Sequence, residues 1–269
     1  MGRVIMPKRR GDKVLKAVRA NAGIEAWYQA KLEALVKELD DSLNWFLTAA
    51  YRKEQPATIA MDRSAASMVN AVFKRLARRW LRKFDDLGPQ LAGKFAERAV
   101  SHSNLALQKI LKDAGWTVRF TLTPAARDAL DAIIAENVGL IKSIAAQHLT
   151  AVQGVVMRSV ASGHDMGTMA KELQKSYGVT RRRASLIARD QTAKANAVIT
   201  RVRQVELGIK EAIWCHSTAG KHPRPSHVAM NNKRYLVAEG MYDPDEGRKI
   251  MPGELVNCRC YSKSVIPGF

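Results

Sequence analysis

The chain has 269 residues, 46% of them hydrophobic, which is enough to bury a real core in one large or two ordinary domains. Its 44 lysines and arginines against 25 acids give a net charge of +19, which argues against a free cytosolic enzyme and for a polyanionic partner: DNA, RNA or an acidic protein. Three cysteines, two of them separated by a single residue, argue against a disulfide framework and fit a reducing cytoplasm. No apolar run approaches the roughly 18 residues that span a bilayer, so neither export nor membrane insertion is expected.

Residues 1–20 carry Arg3, Lys8, Arg9, Arg10, Lys13, Lys16 and Arg19 against the single acid Asp12. With few apolar anchors, this segment is expected to be a basic, flexible arm able to touch nucleic acid. From Ile24 the apolar residues Tyr28, Leu32, Leu35, Leu39, Leu43, Phe46 and Ala50 recur at steps of three and four, the signature of one helix face. A second helix is expected from Arg63 to Phe84, with Met68, Val72, Leu76 and Trp80 in its stripe. Lys74, Arg75, Arg78, Arg79, Arg82 and Lys83 surround that stripe and could neutralise phosphates. A third is expected after Pro89, carrying Leu91, Phe95, Leu105 and Ile110 and stopped by Gly115.

Trp116 to Leu122 alternates apolar and polar residues as a short strand or extended linker would, and Thr123 followed by Pro124 reads as a helix start. The helical period then continues through Leu130, Ile134, Val138, Ile141, Ala145, Leu149, Val152 and Val156, a long connecting helix ended by Gly163. Asp165 is placed to cap a short helix reaching Leu173, and Thr180 to cap another from Arg181 to Gly208. Arg181, Arg182 and Arg183 would open that last helix, with Arg189, Lys194, Arg201 and Arg203 further along it. Cations there oppose the helix dipole, a conflict that a bound anion would relieve. Beyond Gly208 the pattern changes to short β-like pieces, 209–215, 234–237 and 260–265, separated by loops rich in Gly, Pro and Asn.

This last third concentrates the rare residue types. Two of the three cysteines, two of the six histidines and five of the nine prolines lie from His222 onward. Cys258 and Cys260 flank Arg259, and residues two apart in an extended segment face the same way, so both sulfurs could reach one metal with His227 as a third ligand. A fourth ligand would have to come from Cys215, His216 or His222. A catalytic reading would use His227 as general base, Ser226 or a water as nucleophile, and Arg224 or Lys233 beside an anionic transition state. Against it, Glu239, Asp243, Asp245, Glu246 and Glu254 are scattered and form no acid–base motif. A non-catalytic reading has Arg224 and His227 pinning the loop through hydrogen bonds, with the thiols buried in a small β domain. No phosphate-binding glycine loop, Ser-His-Asp order or metalloprotease helix motif is present.

Gly163-His164-Asp165, Tyr177-Gly178-Val179-Thr180, Arg183-Ala184, Ile187-Ala188-Arg189-Asp190-Gln191-Thr192, Arg224-Pro225-Ser226-His227 and the run from Pro252 to Cys260 form a spaced set of motifs. Over roughly 160–264 this set resembles the phage head morphogenesis family of minor head proteins, named for the F protein of phage Mu. The resemblance implies a structural, non-enzymatic component of a phage or prophage head, assembled in the host cytoplasm. It also implies portal, major capsid or scaffold protein as partners. Many relatives carry a Cys-x-x-Cys pair in the loop before the equivalent histidine, where this chain has Gly-Lys-His-Pro-Arg-Pro-Ser-His, so no metal and no cofactor are expected.

The expected fold is mainly α with a small C-terminal α+β module. It comprises a basic flexible arm over 1–20, a helical docking region over 21–122 and a long connecting helix over 123–162. A β-hairpin-containing head morphogenesis domain follows over 163–269. Trp214, Arg224, Ser226, His227, Cys258 and Cys260 are expected to stabilise that module. DNA contact is expected from Lys8, Arg9, Arg10, Lys74, Arg75, Arg78, Arg79, Arg181, Arg182, Arg183 and Arg189.

Overall fold

A computed structural model describes residues 11–54, 65–161, 166–218, 220 and 222–267. In chain order it comprises β1 (Lys13–Val14), α1 (Ala22–Glu54), α2 (Ala65–Asp113), α3 (Pro124–Ala161), α4 (Met166–Glu206) and β2 (Glu211–Cys215). After these come α5 (Pro225–Met230), β3 (Arg234–Leu236), β4 (Met241–Asp243), β5 (Arg248–Ile250) and β6 (Tyr261–Ile266). The fold is thus mainly helical with a C-terminal region of small antiparallel strands, as the sequence implies. Two compact units share these elements: one holds 23–95 and 133–189, the other 1–22, 96–132 and 190–269. The sequence reading divides the chain into consecutive segments instead. Contacts between helices far apart in sequence leave no local signal, which is why that interleaving is not legible from composition.

The first unit is built from helices. On α1 the buried stripe is Tyr28, Leu32, Val36, Leu39, Leu43 and Leu47. Phe46, assigned to that face from its spacing, is 37% exposed, and Leu47 takes the core position in its place. The stripe advances by four residues at nearly every step and so follows the helix as it drifts past 3.5 residues per turn. Val69, Phe73, Leu76, Trp80 and Phe84 form the matching stripe on α2, so Val72, expected in it, gives way to Phe73. Several polar side chains between the stripes are hydrogen-bonded, whereas the Asp40 Oδ1 and His148 Nε2 pair stands at contact distance without completing a hydrogen bond. Tyr28 donates to Asn137 at 2.9 Å and stacks on Phe95 with ring centroids 4.2 Å apart. The Trp80 indole N–H reaches Ser42 at 3.0 Å, and His148 lies between Asp40 at 3.2 Å and Thr180 at 2.9 Å.

Two expected helix breaks are absent. α2 runs straight through Pro89, so the second and third expected helices are one. Proline removes one N–H and crowds the preceding turn, but burial of Phe84, Ala92, Phe95 and Ala96 on either side outweighs that local penalty. α4 likewise continues through Tyr177–Thr180. Thr180 does not cap a helix: its hydroxyl bonds back to the Ser176 carbonyl at 3.1 Å. Arg181, Arg182 and Arg183 are therefore mid-helix, and the dipole conflict expected at a helix start does not arise.

In the second unit, the order of the four-stranded sheet is β1-β6-β2-β3, antiparallel throughout, and β4 pairs with β5 in a separate hairpin. The segment expected to be a flexible arm is partly built in. Lys13 and Val14 pair with Ile266 and Val265, and Leu15 and Val18 are buried against Leu107 and Leu111. Edge pairing with β6 and two apolar anchors suffice to order 11–20. Residues 1–10, with Lys8, Arg9 and Arg10, lie outside the described residues, as do Gly163, His164 and Asp165. Trp116 to Leu122 is extended without strand pairing, its Trp116, Val118 and Phe120 packed on the Leu107–Leu111 cluster. Thr123 starts α3 as expected, accepting the Ala126 N–H at 3.2 Å. α4 ends at Glu206, and Gly208, with φ +69°, supplies the left-handed turn that leads into β2.

Candidate functional site

The strands, α5 and the loop before β6 converge on one buried cluster. β2 alternates so that Ala212 and Trp214 enter the core, where Met230, Tyr235, Val237, Ile250, Cys258 and Cys260 join them. α5 begins with Pro225 in its first turn, a residue whose fixed φ suits that position, and presents Ser226 and His227 inward. The His227 ring lies edge-on to Trp214, with centroids 5.4 Å apart.

The loop carrying the cysteines is held from several sides. Glu254 accepts the Met251 N–H at 2.8 Å, the Leu255 carbonyl accepts the Cys258 N–H at 2.9 Å, and Arg224 donates to the Val256 carbonyl at 3.1 Å. The Asp190 carboxylate on α4 accepts the Asn257 N–H, fixing a residue whose φ of +61° is left-handed. Gly253, with φ +83°, passes so close to α4 that a Cβ there would stand 2.7 Å from the Ala197 Cβ. Asp190 of the Ile187–Thr192 motif and Asn257 of the Pro252–Cys260 motif, far apart in sequence, are thus joined by one hydrogen bond.

His227 Nδ1 faces Cys258 Sγ at 3.4 Å and Cys260 Sγ at 3.6 Å. His227 Nε2 faces the Asp243 carboxylate at 3.3 Å, with Asp243 wholly enclosed and His227 2% exposed. Neither atom of that last pair completes a well-aligned hydrogen bond, so the contact is an electrostatic one at hydrogen-bond range. Asp243 is otherwise tied to its own hairpin, its second oxygen accepting the Asp245 N–H at 3.0 Å.

The three groups shift one another. Cys258 is held below the ordinary thiol range, first by the hydrogen bond offered from the Cys260 thiol and then by His227, against the opposing effect of burial. Cys260 is pushed upward by the same Cys258 contact and by burial, with the Ser217 backbone and then the Trp214 indole acting the other way. His227 is raised, chiefly by Cys258.

All six residues expected to stabilise the module lie in it, and Trp214, His227, Cys258 and Cys260 meet in one cluster. Ser226 is buried with an unpartnered hydroxyl among the described residues, and Cys215 sits on the strand position after Trp214, its thiol turned to the Ile213 carbonyl at 3.7 Å. Sequence reasoning missed Asp243 and Asp190. Asp243 reads as part of an acidic scatter; a hairpin between His227 and the cysteines is expected, but the pattern does not place strands at 241–243 and 248–250, whose pairing brings Asp243 to His227. Asp190 belonged to a quoted motif, but nothing local says that its carboxylate reaches residue 257.

The basic residues separate into two kinds. Arg75, Arg78, Arg79 and Arg82 line one open recess on α2, all exposed and without an acidic partner among the described residues. Others are engaged within the fold. Arg181 pairs with Glu33 at 3.1 Å and Arg183 donates to Ser143 at 2.9 Å. Arg203 is 2% exposed, clamped by Glu206 at 2.6 Å and Asn104 at 2.9 Å beneath Phe120. The uncompensated row read along α4 is thus partly structural.

Fold and site together define a helical protein with a small α+β module organised around a buried histidine, two thiols and a carboxylate. Residues 150–262 match the model of the family described as "Phage Mu protein F like protein", the family that the motifs resemble. A relative from Haemophilus influenzae, described as "Uncharacterized protein", is 29% identical over 263 residues, covering 93% of this chain and 55% of that protein. The chain thus spans about half of that relative's length. No solved structure matches this chain.

Proposed function

We propose that the chain is a minor head component of a tailed phage or prophage, non-enzymatic, acting in head assembly at or near the portal vertex and contacting DNA without sequence preference. The match of residues 150–262 to the Mu F-like family carries this reading. Its partners are portal protein and major capsid or scaffold protein, met through the helices, and phage DNA, met through exposed arginines such as Arg75, Arg78, Arg79 and Arg82. The net charge of +19 and the unpaired arginine recess support the DNA contact. Both ring nitrogens of His227 face protein atoms, which favours the structural reading over a His-centred nuclease. No described helix is long and apolar enough to cross a membrane.

Deleting the gene from an inducible prophage and counting DNA-filled heads by electron microscopy tests the proposal. Loss of filled heads, restored by the wild-type gene in trans, is expected. Undiminished yields of filled, infectious particles would overturn it.

A further inference from the structure

The geometry points to a divalent-metal site, of the kind zinc occupies, formed by His227 Nδ1, Cys258 Sγ and Cys260 Sγ, with Asp243 as the residue that orients the histidine. From the sequence no metal is expected, because the loop before His227 lacks the cysteine pair of many relatives; the fold nevertheless brings three ligand atoms together without it.

Three potential ligand atoms, all on buried residues, lie within 4.8 Å of one another. A tetrahedral centre with Zn–S of about 2.3 Å and Zn–N of about 2.0–2.1 Å sets sulfur and nitrogen roughly 3.5 Å apart. The two sulfur–nitrogen distances here are 3.4 and 3.6 Å. A relay of thiol hydrogen bonds from Cys260 to Cys258 to His227 would use only one of the two sulfur–nitrogen approaches, whereas one cation bound by all three atoms uses both.

Asp243 is a second, independent observation. A metal-binding histidine commonly gives its other ring N–H to a carboxylate, which fixes the tautomer and strengthens the ligating nitrogen. His227 Nε2 faces such a carboxylate at 3.3 Å, and Asp243 is completely enclosed. Burying that charge is costly in an apolar core unless positive charge stands nearby. Soft thiolates with one imidazole select zinc over magnesium or calcium. His227, Cys258 and Cys260 all border a cleft of about 400 Å³, so the fourth position of a tetrahedral centre can be filled by water.

The test uses the full chain, stripped of metal under reducing conditions and titrated with Co2+ followed by optical spectroscopy. One equivalent should bind, with a thiolate-to-cobalt charge-transfer band in the near ultraviolet and intense visible bands of tetrahedral cobalt, and Zn2+ should displace it. Asp243→Asn should keep the spectrum while weakening affinity about 10–100-fold, as loss of an outer carboxylate does. Cys260→Ser should lose a large part of the charge-transfer band. A folded wild-type chain showing neither band, or Cys258→Ser/Cys260→Ser protein that stays folded and binds Co2+ with wild-type affinity and spectrum, would overturn the assignment. Because the reading is made on purified protein, its failure is independent of any outcome in head assembly.

Discussion

The helical unit and the C-terminal module store structural information differently. On α1 the fold needs only an apolar stripe, and the choice between neighbouring residues is made by packing. In the module, single residues have single tasks: Asp190 holds Asn257, Gly253 makes room for α4, and Asp243 faces His227. A region specified by periodicity tolerates substitution off its stripe, whereas one specified by individual contacts does not tolerate loss of a contact. The difference can be broken by mutation.

The largest effect should come from Trp214→Ala, which removes a fully buried indole from the centre of the module's core and is expected to cost about 3–5 kcal/mol in chemical denaturation. Next, Leu39→Ala on the α1 stripe should cost about 2–5 kcal/mol, since Leu39 is completely enclosed. Gly253→Ala should destabilise by more than about 1 kcal/mol, because the new methyl meets Ala197 and the left-handed backbone disfavours any side chain. Phe46→Ala should change stability by about 0.5 kcal/mol or less, as for an exposed position. Equal losses for Leu39→Ala and Phe46→Ala in denaturant melts would abolish the distinction between stripe and surface. Phe46→Ala protein that melts normally but fails to enter heads would sharpen it, making that residue part of a docking face.

The two regions were also unequally legible. Long apolar periods revealed α1 and α3, and Thr123 and Gly208 marked real ends, because capping and helical spacing are local physics. Pro89 and the Tyr177–Thr180 segment misled, since tertiary burial kept α2 and α4 continuous through positions that end isolated helices. Three of the C-terminal strands could be read from alternation and turn residues. The three-residue β4 and β5 could not, and with them went Asp243. The cysteine–histidine cluster was visible as a set of rare residues, but its convergence depends on α5 and on a loop pinned from α4, contacts that no local pattern encodes.

The central claim, a structural role in the phage head, is tested most directly by cryo-electron microscopy of procapsids isolated from cells expressing the wild-type gene. The account predicts density for the helical unit and the C-terminal module at or beside the portal vertex, with the Arg75–Arg82 face of α2 turned towards the DNA path. Procapsids that form and package normally, with no copy of the chain at that vertex before or after packaging, would contradict it.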